Sequence, residues 1–196
     1  MLRLAWLNSA EVRVVAVMAV LALGVPQATA QVKPFKVSGA GIAPDGIPLP
    51  PELRNDPPAF HWAVGKGTYL GNYYGEGYVQ TDNLTGPNTA NFKSAVPFVF
   101  VAANGDKLAC TYGDTANGAA QPGHVTLHDA GNGMVSAVRV AEFNPVPAQC
   151  TGRFAKVIGG SFLMIAESEP FVLGAMDPVG YSWTGKGTLH FKTKTK

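Results

Sequence analysis

His124 and His128 stand four residues apart, the spacing that sets two metal ligands on one side of a helix. The residues between them, Val125-Thr126-Leu127, and the flanking turns favour a strand instead. On a strand those positions are ~13 Å apart, too far for one zinc ion held at about 2 Å. Glu167 and Glu169 occupy alternate positions and would lie roughly 6 to 7 Å apart along a strand, a separation that suits an inverting glycosidase. Pro170 follows at once, which puts both at a strand end as solvated carboxylates. Gly159-Gly160-Ser161 lacks the second glycine and the strand-to-helix setting of a nucleophile elbow. The glycine pairs Gly65/Gly67 and Gly75/Gly77 fall in strand-like sequence without the helix that a nucleotide fingerprint requires. No cofactor is implied. His61 and His190 become neighbours only if the first and last core strands meet. The group that merits most attention is Tyr73, Glu76, Trp62 and Trp183, a polar and aromatic set that forms a candidate pocket.

These residues must be carried by strands. The chain has 23 glycines, 15 prolines and only 14% charged residues, which favours many short strands joined by tight turns over long helices. Runs of β-favouring residues broken by Gly, Asn and Asp predict strands at 60–70, 73–80, 92–102, 106–112, 123–128, 134–143, 160–167 and 181–192. Asn104-Gly105-Asp106 is a strong hairpin signal and pairs 92–102 with 106–112. Gly131-Asn132-Gly133 plays the same part later in the chain. In the last strand Tyr181, Trp183, Leu189 and Phe191 share one face and Lys186, His190 and Lys192 the other, so one side is buried and one wet. Gly65-Lys66-Gly67-Thr68 recurs as Gly185-Lys186-Gly187-Thr188, and the two copies are candidates to pair where a barrel closes.

The N-terminal part has a different character. Arg3 and Arg13 precede an apolar run at 14–25, Pro26 breaks it, and Ala28-Thr29-Ala30 supplies the small residues read by signal peptidase. The run is about twelve residues, short of the roughly twenty a spanning helix needs. Residues 1–30 are therefore a signal peptide cleaved between Ala30 and Gln31, residues 31–59 a Pro-rich extended arm with at most one strand, and residues 60–196 the β-domain. The expected location is periplasmic or extracellular, with no membrane span after cleavage. In that compartment Cys110 and Cys150 form a candidate disulfide, worth about 4 kcal/mol in the chain-entropy model. The formal net charge of +2 does not suggest nucleic acid as a partner, and an oligomer is compatible with the sequence. An outer-membrane barrel is disfavoured, because 98–101 and 162–166 are apolar on both faces.

Three stretches follow one another in order and spacing: Gly65-Lys66-Gly67-Thr68-Tyr69-Leu70-Gly71-Asn72-Tyr73-Tyr74-Gly75-Glu76-Gly77, then Phe98-Val99-Phe100-Val101-Ala102-Ala103-Asn104-Gly105-Asp106-Lys107-Leu108, then Thr151-Gly152-Arg153-Phe154-Ala155 leading to Gly160-Ser161-Phe162. Together with Pro34-Phe35-Lys36-Val37-Ser38-Gly39 they resemble exported bacterial proteins whose barrel is similar to the allene oxide cyclase and dirigent barrels. The resemblance spans most of residues 34–192 and implies an all-β fold of about eight antiparallel strands around an apolar cavity. The cyclases isomerise an unstable fatty-acid epoxide and the dirigent proteins orient phenoxy radicals, in both cases chiefly by shaping a pocket. Their functional polar residues have no counterparts placed in this sequence. The leading expectation is thus a secreted or periplasmic β-barrel that binds a small apolar molecule in its interior. The alternatives are a structural or surface-interaction module with a packed interior, and a cyclase-like or isomerase-like enzyme acting by confinement. The lack of a reaction motif favours a non-enzyme.

Overall fold

The computed structural model describes residues 30–46 and 58–193. The signal segment before Ala30, most of the proline cluster and the last three residues of the basic tail lie outside that range. Ten strands follow in chain order: β1 (Ala30–Ala43), β2 (Ala59–Gly67), β3 (Gly71–Gly86), β4 (Thr89–Ala102), β5 (Lys107–Tyr112), β6 (Gly123–Gly131), β7 (Met134–Pro145), β8 (Val157–Ser168), the two-residue β9 (Phe171–Val172) and β10 (Val179–Lys192). No α-helix occurs among the described residues.

All pairings are antiparallel and they close on themselves. The circuit runs β1, β2, β3, β4, β5, β7, β8, β10 and back to β1, a ring of eight. β6 extends the position held by β5, pairing with the first half of β4 and with β7. Closure leaves no long unpaired edge, the usual liability of an exposed sheet.

All eight predicted strands are present, and both predicted hairpins join the strands they were expected to join. In the second hairpin Gly131, Asn132 and Gly133 all have positive φ, which is why that tripeptide suits the turn. β1 exceeds its expectation. The predicted arm contributes a 14-residue strand that is bonded on both edges, to β10 and β2, and is a full member of the ring. β1 also separates the two Gly-Lys-Gly-Thr copies, which pair with β1 from opposite sides and not with each other. Ala30 and Gln31, the predicted cleavage pair, are its first two residues and face Lys192 and Phe191.

Alternation sends one face of each strand inward. The interior is largely aromatic: Phe35, Phe98, Phe100, Phe143, Phe162 and Trp183 are all buried. Phe143 stacks on Phe162 at 5.0 Å and Trp183 on Phe100 at 5.6 Å. Such contacts add about 0.5 to 1.5 kcal/mol each beyond the area they bury. Glycines make room for these rings. On β3, Gly75 and Gly77 face inward against the Phe98 ring, and a Cβ at either position would overlap it.

The two ends of the ring differ. At the end bearing the β2–β3 and β4–β5 turns, Leu70, Leu108, Phe154, Val157 and Leu189 are buried and close the interior. Arg153 ties this end together, its Nε donating to Asp106 at 2.7 Å and its Nη1 to the Tyr69 carbonyl at 2.9 Å. The Thr151–Ala155 motif is thus a plug, with Phe154 as its apolar tip. Gly75→Ala should destabilise the fold by about 1 to 3 kcal/mol through overpacking, and Phe98→Leu in that background should recover part of the loss. Equilibrium urea unfolding of the two variants and their combination measures both effects.

Candidate functional site

The opposite end of the ring, where β1 stops and β2 and β10 begin, encloses a cavity of about 70 Å³. Its wall is chiefly apolar, from Phe92 and Phe98 on β4, Phe143 on β7, Met164 and Ala166 on β8, and Trp183 on β10. The polar groups that reach it are His61, Thr81, Tyr112, Arg139, Ser168 and Tyr181. Each arrives by strand alternation. His61 lies between the inward Ala59 and Ala63 of β2, and Arg139 between the inward Ala137 and Ala141 of β7.

His61 is clamped between two phenols. Its Nδ1 is 2.9 Å from the Tyr181 hydroxyl and its Nε2 is 2.9 Å from that of Tyr112. Each phenol also lies 3.1 Å from a backbone carbonyl, Trp62 for Tyr181 and Tyr78 for Tyr112. These are four contacts, yet a neutral imidazole and two phenols hold only three protons between them. One phenol donates to its carbonyl and accepts from the imidazole N–H. The other donates to the bare ring nitrogen and leaves its carbonyl without that proton. The mirror arrangement is chemically equivalent, so the Tyr181–His61–Tyr112 chain has two proton patterns.

A fourth proton would satisfy every contact, but the surroundings oppose it. Burial, reinforced by the Arg139 cation, pushes the imidazole down to about 3. Burial also raises both phenols, and Arg139 only partly offsets this. At neutral pH the triad is therefore uncharged. Its three protons are all engaged within the triad and its carbonyl partners, and a base this weak is far from the value that favours proton transfer near neutrality. Arg139 itself is lowered by burial to about 10 and stays charged. Among the described residues no carboxylate lines the cavity, and the ion pairs are Lys93–Asp82 and Arg153–Asp106, both elsewhere.

The residues singled out from sequence divide between the two faces. Trp183 lines the cavity. Tyr73 is buried beside it, with ring centroids 6.2 Å apart and its hydroxyl donating to the Ser38 carbonyl. Glu76 and Trp62 do not join them. Inward-facing Gly75 and Gly77 turn Glu76 outward, where it accepts a 2.6 Å hydrogen bond from Tyr74, and Trp62 packs against Tyr74 on the same outer surface. His190 sits near the far end of β10, opposite Val32 and Gly159, away from His61. His124 and His128 are on β6 as expected of a strand. Glu167 is on β8, while Glu169 lies just past its end.

The expected disulfide is not formed: Cys110 and Cys150 are free and buried. Cys110 points inward with Leu108 and Tyr112, whereas the Cys150 thiol turns to the carbonyls of Val146 at 3.4 Å and Ala109 at 3.8 Å. Burial raises both thiols, so neither is an activated nucleophile. Arg139 and Tyr112 are the site residues that motif reading passes over, and His61 enters it only as a neighbour for His190. Their signal is parity: each shares a strand face with residues that are plainly core.

No family model, curated protein or solved structure matches this chain. Among the described residues no helix is long and apolar enough to cross a membrane.

Because the native imidazole titrates near 3 and an unfolded one near 6.5, the unfolded state binds the extra proton between those values. This contribution is intact above pH 6.5 and is lost as the pH falls toward 3, by at most about 1.4 kcal/mol per pH unit. Urea unfolding of the wild type and His61→Gln at pH 7, 5 and 4 should show a shallower acid-side loss in the variant.

Proposed function

We propose that the chain is an exported β-barrel of the allene oxide cyclase and dirigent shape class that binds a small, mainly apolar molecule inside the ring. The observation carrying this reading is the asymmetry of the interior. One end is filled by Phe154, Leu70 and Leu108, while the other keeps a cavity with an aromatic wall and a few convergent polar groups, the usual composition of a small-molecule site. Export is supported by the signal-like pattern of residues 1–30.

A second reading, a scaffold without a ligand, is favoured by size. A cavity of about 70 Å³ is roughly half the 150 Å³ that holds benzene in an engineered apolar cavity. The interior therefore takes a molecule of only a few heavy atoms, or a larger one that enters as the open end yields. Confinement catalysis has less support, since the Tyr181–His61–Tyr112 group is held neutral and is poorly tuned for proton transfer.

Native mass spectrometry of gently purified protein should show an added small-molecule mass that is absent from Ala166→Leu, which fills the cavity. A bare mass, together with no chemical-shift response of cavity residues to small apolar probes, would establish the scaffold reading instead. The mass of the exported product tests the compartment separately. It should correspond to a chain beginning at Gln31, and retention of residues 1–30 would contradict export by cleavage.

A further inference from the structure

The cavity contains a charge that no described residue answers. Arg139 projects from β7 into a mainly apolar space, no acidic side chain among the described residues lines that space, and neither ion pair among the described residues includes it. Its titratable and charged neighbours, His61, Tyr112 and Tyr181, are all neutral at physiological pH. Arg139 is half-buried, and holding a guanidinium against apolar walls without a counter-charge is unfavourable. A site evolved only to be packed would carry Leu or Met on this face, as β8 does with Met164. The position instead has the side chain best suited to a planar anion, with parallel N–H donors in a fixed fork.

Resting on the reading of the ring as a small-molecule binder, we infer that its ligand is a small carboxylate, whose anionic head pairs with Arg139 and whose hydrocarbon body lies against Phe92, Phe98 and Phe143. The neutral triad complements this role. The triad adds no charge of its own, a phenol can turn its O–H from its backbone carbonyl to the second face of the carboxylate, and no acidic side chain among the described lining residues cancels the Arg139 field. The cavity volume of about 70 Å³ favours short acids over long-chain ones. A neutral ligand of the same shape would leave the guanidinium unpaired and should bind less well.

The test is an NMR titration of the full chain with butyrate and, as its neutral isostere, butyramide, followed at the cavity residues. Butyrate should bind about tenfold more tightly than butyramide, the ratio expected for one charge-assisted pair. Arg139→Met should abolish that preference and Arg139→Lys should retain part of it. Thermal unfolding supplies a readout that a merely structural arginine would not give: Arg139→Met should raise the melting temperature, since it removes a half-buried charge that has no partner among the described residues. Equal binding of acid and amide by the wild type would overturn the carboxylate assignment while leaving the apolar-ligand reading intact. Binding of neither up to about 100 mM would overturn both. A lowered melting temperature for Arg139→Met would show that the arginine serves an ion pair within the fold, and would equally overturn the assignment.

Discussion

A closed ring of strands has to fill its own interior, and most of this sequence can be understood from that constraint. Every strand sends alternate residues into a space bounded on all sides by backbone, so the inward positions of eight strands must sum to one volume. Here the sum is met by pairing very large with very small. Phe98, Phe100, Phe143, Phe162 and Trp183 occupy the middle, and glycines opposite them, notably Gly75 and Gly77, supply the missing space. The glycine content that reads as turn-rich composition is in part a packing device. The register of β3 against β4 shifts at four places, two of them at Tyr78 beside Pro97, which has no paired partner, so the proline there removes no ladder bond.

Filling is uneven along the axis. The plugged end couples the Arg153–Asp106 pair to Phe154 and to the Tyr69 carbonyl, joining three turns that are far apart in sequence. The open end holds the buried polar groups, which weaken the fold unless they are satisfied. His61 is satisfied by two phenols at the cost of one carbonyl contact. Arg139 is not satisfied by any described residue. Such polar side chains gather in one cavity, while the middle of the interior is aromatic.

Much of the fold was legible in the sequence because strand alternation and hairpin chemistry are local. Asn104-Gly105-Asp106 and Gly131-Asn132-Gly133 fix two turns, and the last strand shows its buried face openly in Tyr181, Trp183, Leu189 and Phe191. β1 was undervalued because its neighbours are prolines and its own inward residues include small ones, so that its place in the ring depends on partners distant in the chain. The candidate site was half legible. Trp183 follows from aromatic character and Tyr73 from motif density, but motif density also points to Glu76 and aromatic character to Trp62, and parity puts those two on the other surface. Parity also exposes His61 and Arg139 as polar residues on core faces. What no local rule gives is that β2, β5, β7 and β10 bring His61, Tyr112, Arg139 and Tyr181 to one point, since that follows only from the closing of the ring.

The central claim is that the interior is solid at one end and hollow at the other. Crystallography under xenon pressure examines it directly, because xenon enters apolar cavities that are otherwise empty. Xenon, or a retained molecule in its place, should appear between Phe92, Phe98, Phe143 and Trp183, with no density of that kind among Phe35, Phe100 and Phe162. A cavity found closed by Tyr181 or Trp183, with no room for a xenon atom, would contradict the claim.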